Sequence, residues 1–371
     1  MARTYDTYDR YKNYEGEASS GKAGRVLAGL AKTVALLVET VLLIAVVLYA
    51  VIYLLMNGPS EKVRDTVVMT FEETSALKWL PDLFLSKEEI AGIVERPPEE
   101  QYFPPVDSKP IPTPGPKETV NPAGGPAADA WGLVDEDGDG LILQEIHGSG
   151  YSGYMMVVLD PSRVIMGAVP ESLGRRGYTV AEMVEYYDAV VGTNAGGFED
   201  PEGRGNGSRP DSLIVFEGQT YFEFNGMGQG FVGIDDQYRL RVGLKTVAEV
   251  KDANIQYGVC FGPVLVADGQ ITEDSLKSSG LNPRTAIGQR SDGAILLMVI
   301  DGRQIISLGA TYKDVAEVML RYGAVNACNL DGGSSTLMWY GGDYINNCAS
   351  VIGIRPVPST FLVLKEGKRN G

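Results

Sequence analysis

Residues 329–336 read NLDGGSST, set between the apolar runs AVNAC at 324–328 and TLMWY at 336–340. How this stretch is read decides the fold around it. As a hairpin, it would join the two runs as neighbouring strands through the Asp-Gly and Gly-Gly dipeptides that tight turns prefer. As a ligand loop, it would offer backbone N–H groups unobstructed by Cβ at Gly332 and Gly333, hydroxyls at Ser334 and Ser335, and a carboxylate at Asp331. The eight residues alone support either reading, so the rest of the chain has to choose.

A chain of 371 residues with 44 % hydrophobic content holds one well-cored domain plus accessory segments. Its net charge of −16 excludes non-specific nucleic-acid binding, which needs a basic surface. An anionic substrate would need local arginines to capture it against the overall field. The three cysteines, Cys260, Cys328 and Cys348, lack the paired spacing of a zinc site or a disulfide framework. They leave either one disulfide with a free thiol or three buried thiols, the second being favoured. His147 is the single histidine, so histidine-rich zinc sites are excluded and a Ser-His-Asp arrangement would rest on that residue alone.

The N-terminal hundred residues concern location. Residues 34–56, VALLVETVLLIAVVLYAVIYLLM, carry Glu39 as their only charge. As a helix they would run roughly 35 Å, enough for a hydrocarbon core of ~30 Å with some tilt. A cleaved signal peptide would have a shorter apolar run and a small-residue cleavage site, which YLLMNGPSEK does not resemble. Lys22, Arg25 and Lys32 flank the run on its N-terminal side, which predicts a cytoplasmic tail at 1–33 and an outward-facing C-terminal part at the cell membrane. Residues 57–95 read as juxtamembrane amphipathic helices, with Ser86 and Glu89 forming a capping box. Their apolar faces could meet the bilayer, a second chain or the main domain. Residues 96–128 read as a proline-rich linker: Arg96–Pro126 holds 10 of the 20 prolines. Such a tether reaches at most ~95 Å and suggests a domain held out on a stalk.

Residues 129–366 form the working domain. Short β-rich runs recur (YMMVVLD, RVIMGAV, SLIVF, TYFEF, VCFGPVLVA, AILLMVI, TLMWY, TFLVL), and about three helices interrupt them. Thr179 with Glu182, Thr246 with Glu249 and Thr311 with Asp314 mark the helix starts. Many strands, few helices and no βαβ alternation predict an α+β domain on a mixed or antiparallel sheet.

Several motifs fall away. DEDGDGLILQEI from Asp135 resembles a calcium loop, but its twelfth position is Ile146 rather than glutamate, so an acidic turn before a strand is the better reading. His147 sits at a strand–turn border and reads as a surface residue. No nucleotide or haem motif is present, and a divalent cation is left open.

What remains is a set of polar, glycine-flanked stretches: TNAGGF (193–198), GNGSRPD (205–211), FGPVLVADG (261–269), NPRTAIG (282–288), DGR (301–303) and NLDGGSST. In this order, over roughly 151–364, they resemble the phosphodiester glycosidase family. The pairing of PRTAIG with NLDGGSS is the most specific part, with NAGGF in support. The last motif is one glycine short of the three that the family often carries.

The resemblance implies a hydrolase that cleaves the sugar C1–O bond of a sugar-1-phosphate diester, here in a surface glycopolymer or exopolysaccharide. Such a step has an oxocarbenium-like transition state while negative charge builds on the departing phosphate. On this reading Arg284 grips phosphate oxygens as a planar fork, and amides around Gly332 and Gly333 form an anion nest. Asp331 activates water or attacks the anomeric carbon, and Asn194 and Asn329 hold sugar hydroxyls or the water. Ser334, Ser335, Gly196, Gly197, Asn206, Thr285, Asp301 and Arg303 complete the expected substrate contacts. The bland counterparts are a structural salt bridge for Arg284, a turn-capping acid for Asp331 and Asx-turns for the asparagines. A non-catalytic glycopolymer-binding module with the same pocket is the alternative, and the oligomeric state is not set by the sequence.

Overall fold

A computed structural model describes residues 5–74, 77–95, 128–169, 172–201, 204–223, 230–277, 279–304 and 306–367. The chain divides into two compact units, Met1–Arg64 and Asp65–Gly371.

The first unit is dominated by one helix, Tyr5–Asn57. Its part from Gly29 to Asn57 is long and apolar enough to cross a membrane, and leucines and valines along it are exposed. The apolar stretch is therefore somewhat longer than 34–56, and the helix runs back through the expected tail.

The second unit is built on three antiparallel sheets. The largest has seven strands in the order Leu141–Gly148, Tyr151–Val158, Ile295–Ile300, Arg284–Arg290, Ala324–Leu330, Val264–Ala267 and Gln270–Ile271. A five-stranded sheet follows the order Asp343–Tyr344, Met338–Tyr340, Ala189–Asn194, Thr360–Leu364 and Val164–Gly167. The third, also of five strands, runs Gln219–Phe222, Ile214–Phe216, Ile255–Cys260, Phe231–Asp235 and Leu240–Val242. The expected sheet class is thus antiparallel rather than mixed.

The run AILLMVI is apolar throughout because its strand is buried on both faces. Ile295, Leu297 and Val299 point into a core shared with the two smaller sheets. Leu296, Met298 and Ile300 point into a second core covered by Val315, Ala316, Val318 and Met319 of the helix Tyr312–Arg321.

Among the described residues there are seven α-helices along the chain, more than the three expected for the domain. Those three are present at Val180–Tyr186, Val247–Asp252 and Tyr312–Arg321, each with both halves of its capping box formed. The domain's additional helix, Glu273–Leu276, is a single turn and too short to show a helical period. The others are the N-terminal helix and the helices Glu61–Glu72 and Lys87–Val94, the latter capped by Ser86 and Glu89 as expected.

Val68 and Met69 pack on Ile90 and Ile93, so the amphipathic faces of 57–95 meet each other within the second unit. Thr70 lies so close over Gly280 that a Cβ there would come within 2.3 Å of the Thr70 Cα. Its hydroxyl accepts from the Leu281 amide at 2.9 Å. The segment before the proline-rich stretch therefore belongs to the same unit as the sheets. The expected proline-rich linker falls at 96–127, outside the described residues.

Candidate active site

The opening stretch is not a hairpin. Ala324–Leu330 lies in the seven-stranded sheet, and Met338–Tyr340 lies in the five-stranded sheet beside Ala189–Asn194. Residues 331–337 cross from one sheet to the other, with a short turn of 3-10 helix at Gly333–Ser335.

The crossing is clamped at its start. The Asp331 amide donates to the Ala195 carbonyl at 2.9 Å, and its carbonyl accepts from Asn194 Nδ2. Asn194 Oδ1 in turn accepts from the Thr285 hydroxyl at 2.9 Å and the Leu337 amide at 3.1 Å. Gly333 has φ +58, a left-handed conformation suited to glycine, and its amide donates to the Pro283 carbonyl at 2.9 Å. The Ser335 amide donates to Gly332. The Gly333 amide is thus spent on Pro283 and the Ser335 amide on Gly332, so neither is open to an anion.

The Asp331 side chain is partly buried and accepts a hydrogen bond from Ser335. Burial pushes its carboxyl up to about 7, and the charges of Asp211 and Asp200 push the same way. The hydroxyl of Ser335 and the charge of Arg355 pull against them. Arg355 Nη2 donates to Ser334 Oγ at 2.7 Å and Ser335 Oγ at 3.3 Å, while Nη1 pairs with Asp200 at 2.7 Å. On the other side of the loop, a Cβ at Gly333 would fall 3.2 Å from Arg303 Nη2. Asp331 thus lies on a loop flanked by two arginines, with two further carboxylates close enough to raise its pKa.

Arg284 is placed differently from the sequence reading. It is buried, with Nε donating to the Ala310 carbonyl at 3.0 Å and Nη2 donating to the Gly280 carbonyl at 2.8 Å and to Glu73 at 2.7 Å. Its Cζ sits 4.0 Å from the centre of the Tyr312 ring. A fork so engaged serves as an anchor for its neighbours; it is not held open for phosphate.

The expected polar contacts divide in the same way. Asn329 is buried, with Nδ2 on the Gly262 and Leu330 carbonyls, while Oδ1 has no hydrogen-bond partner among the described residues. Thr285 is spent on Asn194. Asp301 accepts from Asn346 Nδ2 and from both the amide and the side chain of Asn347, which ties down that segment. Gly196 donates to Ser359 Oγ, and a Cβ at Gly197 would strike the Asp211 carboxylate, so this pair shapes the wall under Asp211. Asn206 is exposed and accepts from the Ser208 amide, an Asx-turn.

Arg355, Asp200 and Asp211 are brought to the loop without having been singled out from sequence. The available signal for Arg355 was its setting: one arginine in VIGIRPVP, with no acid among its neighbours to pair it.

Elsewhere, His147 is exposed beside Glu145, as expected. The carboxylates of Asp135, Asp137 and Asp139 lie within 4.8 Å of one another, and those of Asp135 accept from the Gly138 and Gly140 amides, which makes the acidic turn. The three cysteines are free thiols, with Cys260 and Cys328 buried and Cys348 half-buried.

Residues 187–364 match the family model for phosphodiester glycosidases. This stretch is what the chain shares with phosphodiester glycosidases. The SPbeta prophage-derived uncharacterized protein YomE of Bacillus subtilis is 33 % identical over 188 residues, 47 % of this chain and 28 % of that protein. The human N-acetylglucosamine-1-phosphodiester alpha-N-acetylglucosaminidase is 28 % identical over 206 residues, 50 % of this chain and 39 % of that enzyme. The chain therefore spans well under half the length of these relatives. The fold is shared with the catalytic domain of the zebrafish N-acetylglucosamine-1-phosphodiester alpha-N-acetylglucosaminidase, auto-inhibited by its pro-peptide. That likeness has a TM-score of 0.50 and 18 % identity, over 61 % of this chain and 82 % of that one.

Proposed function

We propose that the chain is a membrane-anchored, outward-facing hydrolase that cleaves the sugar C1–O bond of a sugar-1-phosphate diester in a surface glycopolymer or exopolysaccharide. The observation that carries this reading is that Asp331 shares its glycine-serine loop with two arginines, Arg355 on Ser334 and Ser335 and Arg303 beside Gly333. A carboxyl that titrates near neutrality accepts a proton readily at working pH. In the proposed step Asp331 takes a proton from water as the water oxygen bonds to C1. The C1–O bond breaks, its electron pair goes to the phosphate, and a free sugar and a phosphomonoester result. Arg303, exposed at the loop, meets the developing phosphate charge, and Arg355 holds Ser334 and Ser335 in place beneath it.

A panel of sugar-1-phosphate diesters incubated with the detergent-solubilised chain, with free sugar measured, tests the reading. Release of sugar from at least one diester is expected. Binding of the panel without turnover would replace the enzyme with a glycopolymer-binding module.

A further inference from the structure

Glu73 and Thr74 follow the helix Glu61–Glu72 and lie more than 200 residues from everything they tie together in the domain. The Glu73 carboxylate accepts from the Gly280 amide at 2.9 Å, Asn282 Nδ2 at 3.0 Å and Arg284 Nη2 at 2.7 Å. These three groups flank Pro283, whose carbonyl holds the Gly333 amide. Thr74 Oγ accepts from Arg303 Nη2 at 3.1 Å, and Asn282 Oδ1 accepts from the same nitrogen at 3.0 Å. One end of the Arg303 guanidinium is therefore fixed by two acceptors, and Glu73 orients one of those. Arg303 is otherwise exposed and has a φ of +57. An exposed arginine samples many rotamers, and freezing it on a ligand costs binding affinity.

We infer that Glu73 and Thr74 are positioning residues of the candidate active site: they preset Arg303 over the Gly332–Ser335 loop for an anionic sugar phosphate. The inference rests on the glycosidase reading for the identity of the ligand. Its structural half, the tie from residues 73–74 to Arg303, stands on the hydrogen bonds alone. One consequence concerns the extent of the functional domain. It begins ahead of the proline-rich stretch, and the region that resembles the family is incomplete without residues 65–95.

A bland role for Glu73 is to balance the buried charge of Arg284, and Thr74 separates the two. Thr74→Val keeps the Glu73–Arg284 pair and removes one of the two acceptors on Arg303, while Thr74→Ser restores it. In the full-length chain in detergent, binding of α-glucose-1-phosphate is measured by calorimetry, alongside hydrogen exchange over residues 303–308. Thr74→Val is expected to weaken the probe by about two- to tenfold, the cost of ordering one long side chain. It should also speed exchange in the Arg303 turn and raise KM with kcat within about twofold. Thr74→Ser should return each value to that of the parent.

Unchanged affinity and unchanged exchange in a folded Thr74→Val chain would overturn the inference. So would tighter binding, which would make the segment a plug on the site. Failure of the parent itself to bind the probe would count against the glycosidase reading, and exchange would still judge the tie.

Discussion

Replacing Asp331 with asparagine tests its role as a catalytic base, through turnover read beside the pH dependence of stability. The folded-state carboxyl titrates near 7, raised by burial and then by Asp211 and Asp200. In the unfolded chain an aspartate titrates at about 3.9. Below pH ~4 both states carry the protonated group, and it contributes no difference. As pH rises from ~4 to ~7 the unfolded chain ionises first, so the parent loses stability, and the loss levels off above ~7 when both states are ionised. A move from about 3.9 to about 7 corresponds to a loss approaching ~4 kcal/mol, an upper figure for a partly buried side chain. Asparagine is neutral throughout and keeps an acceptor for Ser335. The melting temperature of Asp331→Asn minus that of the parent should therefore be near zero at pH ~4 and grow to a plateau above pH ~7. Each kcal/mol is worth about 2–4 °C in a domain of this size. Ionisable groups remote from Asp331 contribute equally to both proteins and cancel. Turnover should fall about 10²–10⁴-fold in the same preparation, and the parent's kcat/KM should rise with pH to a plateau above ~7. Thermal melts from pH 4.5 to 8.5, paired with release of free sugar, read all of this. A melting difference that does not change with pH, or near-parental turnover in the folded variant, would refute the assignment.

Hydrolysis in ¹⁸O-water should place label on the anomeric oxygen of the sugar and none on phosphate; label on phosphorus would mean attack at phosphate. Arg284→Lys cannot reproduce the contacts to Ala310, Gly280 and Glu73 together, so its melting temperature should drop clearly, and a parent-like melt would show that the anchor is dispensable. Arg355→Lys loses the fork that spans Asp200 and the two serines, and turnover should fall about 10²–10³-fold by the same free-sugar assay. Protease added to intact cells should cut within 96–127, yet the second unit should stay cell-bound through the ties from Thr70 and Glu73; release of the soluble domain would show those ties to be weak.

The parts of this molecule that were legible in the sequence are those whose physics is local. Each capping box pairs a threonine or serine with an acid three residues on, and all four form as read. AILLMVI reads as a strand from its apolar run, and its burial on both faces emerges in the fold. What the sequence withheld depends on partners far away along the chain. Whether NLDGGSST turns back as a hairpin or crosses between sheets depends on which strand TLMWY meets, and that strand is Ala189–Asn194. Asn194 has the right chemistry to hold a sugar, but the Asp331 carbonyl, Thr285 and Leu337 use up its amide. The sequence reading gave Arg284 a free guanidinium because its counter-ion, Glu73, lies 211 residues away in a segment that no spacing argument connects to it. An arginine that meets a carboxylate inside the fold is an anchor, and one that remains exposed beside a glycine loop is a ligand contact. The residue type is the same in both, so the charge pairing of the folded chain has to assign the roles. In this chain that pairing makes anchors of Arg284 and Arg355 and leaves Arg303 as the arginine we propose for phosphate.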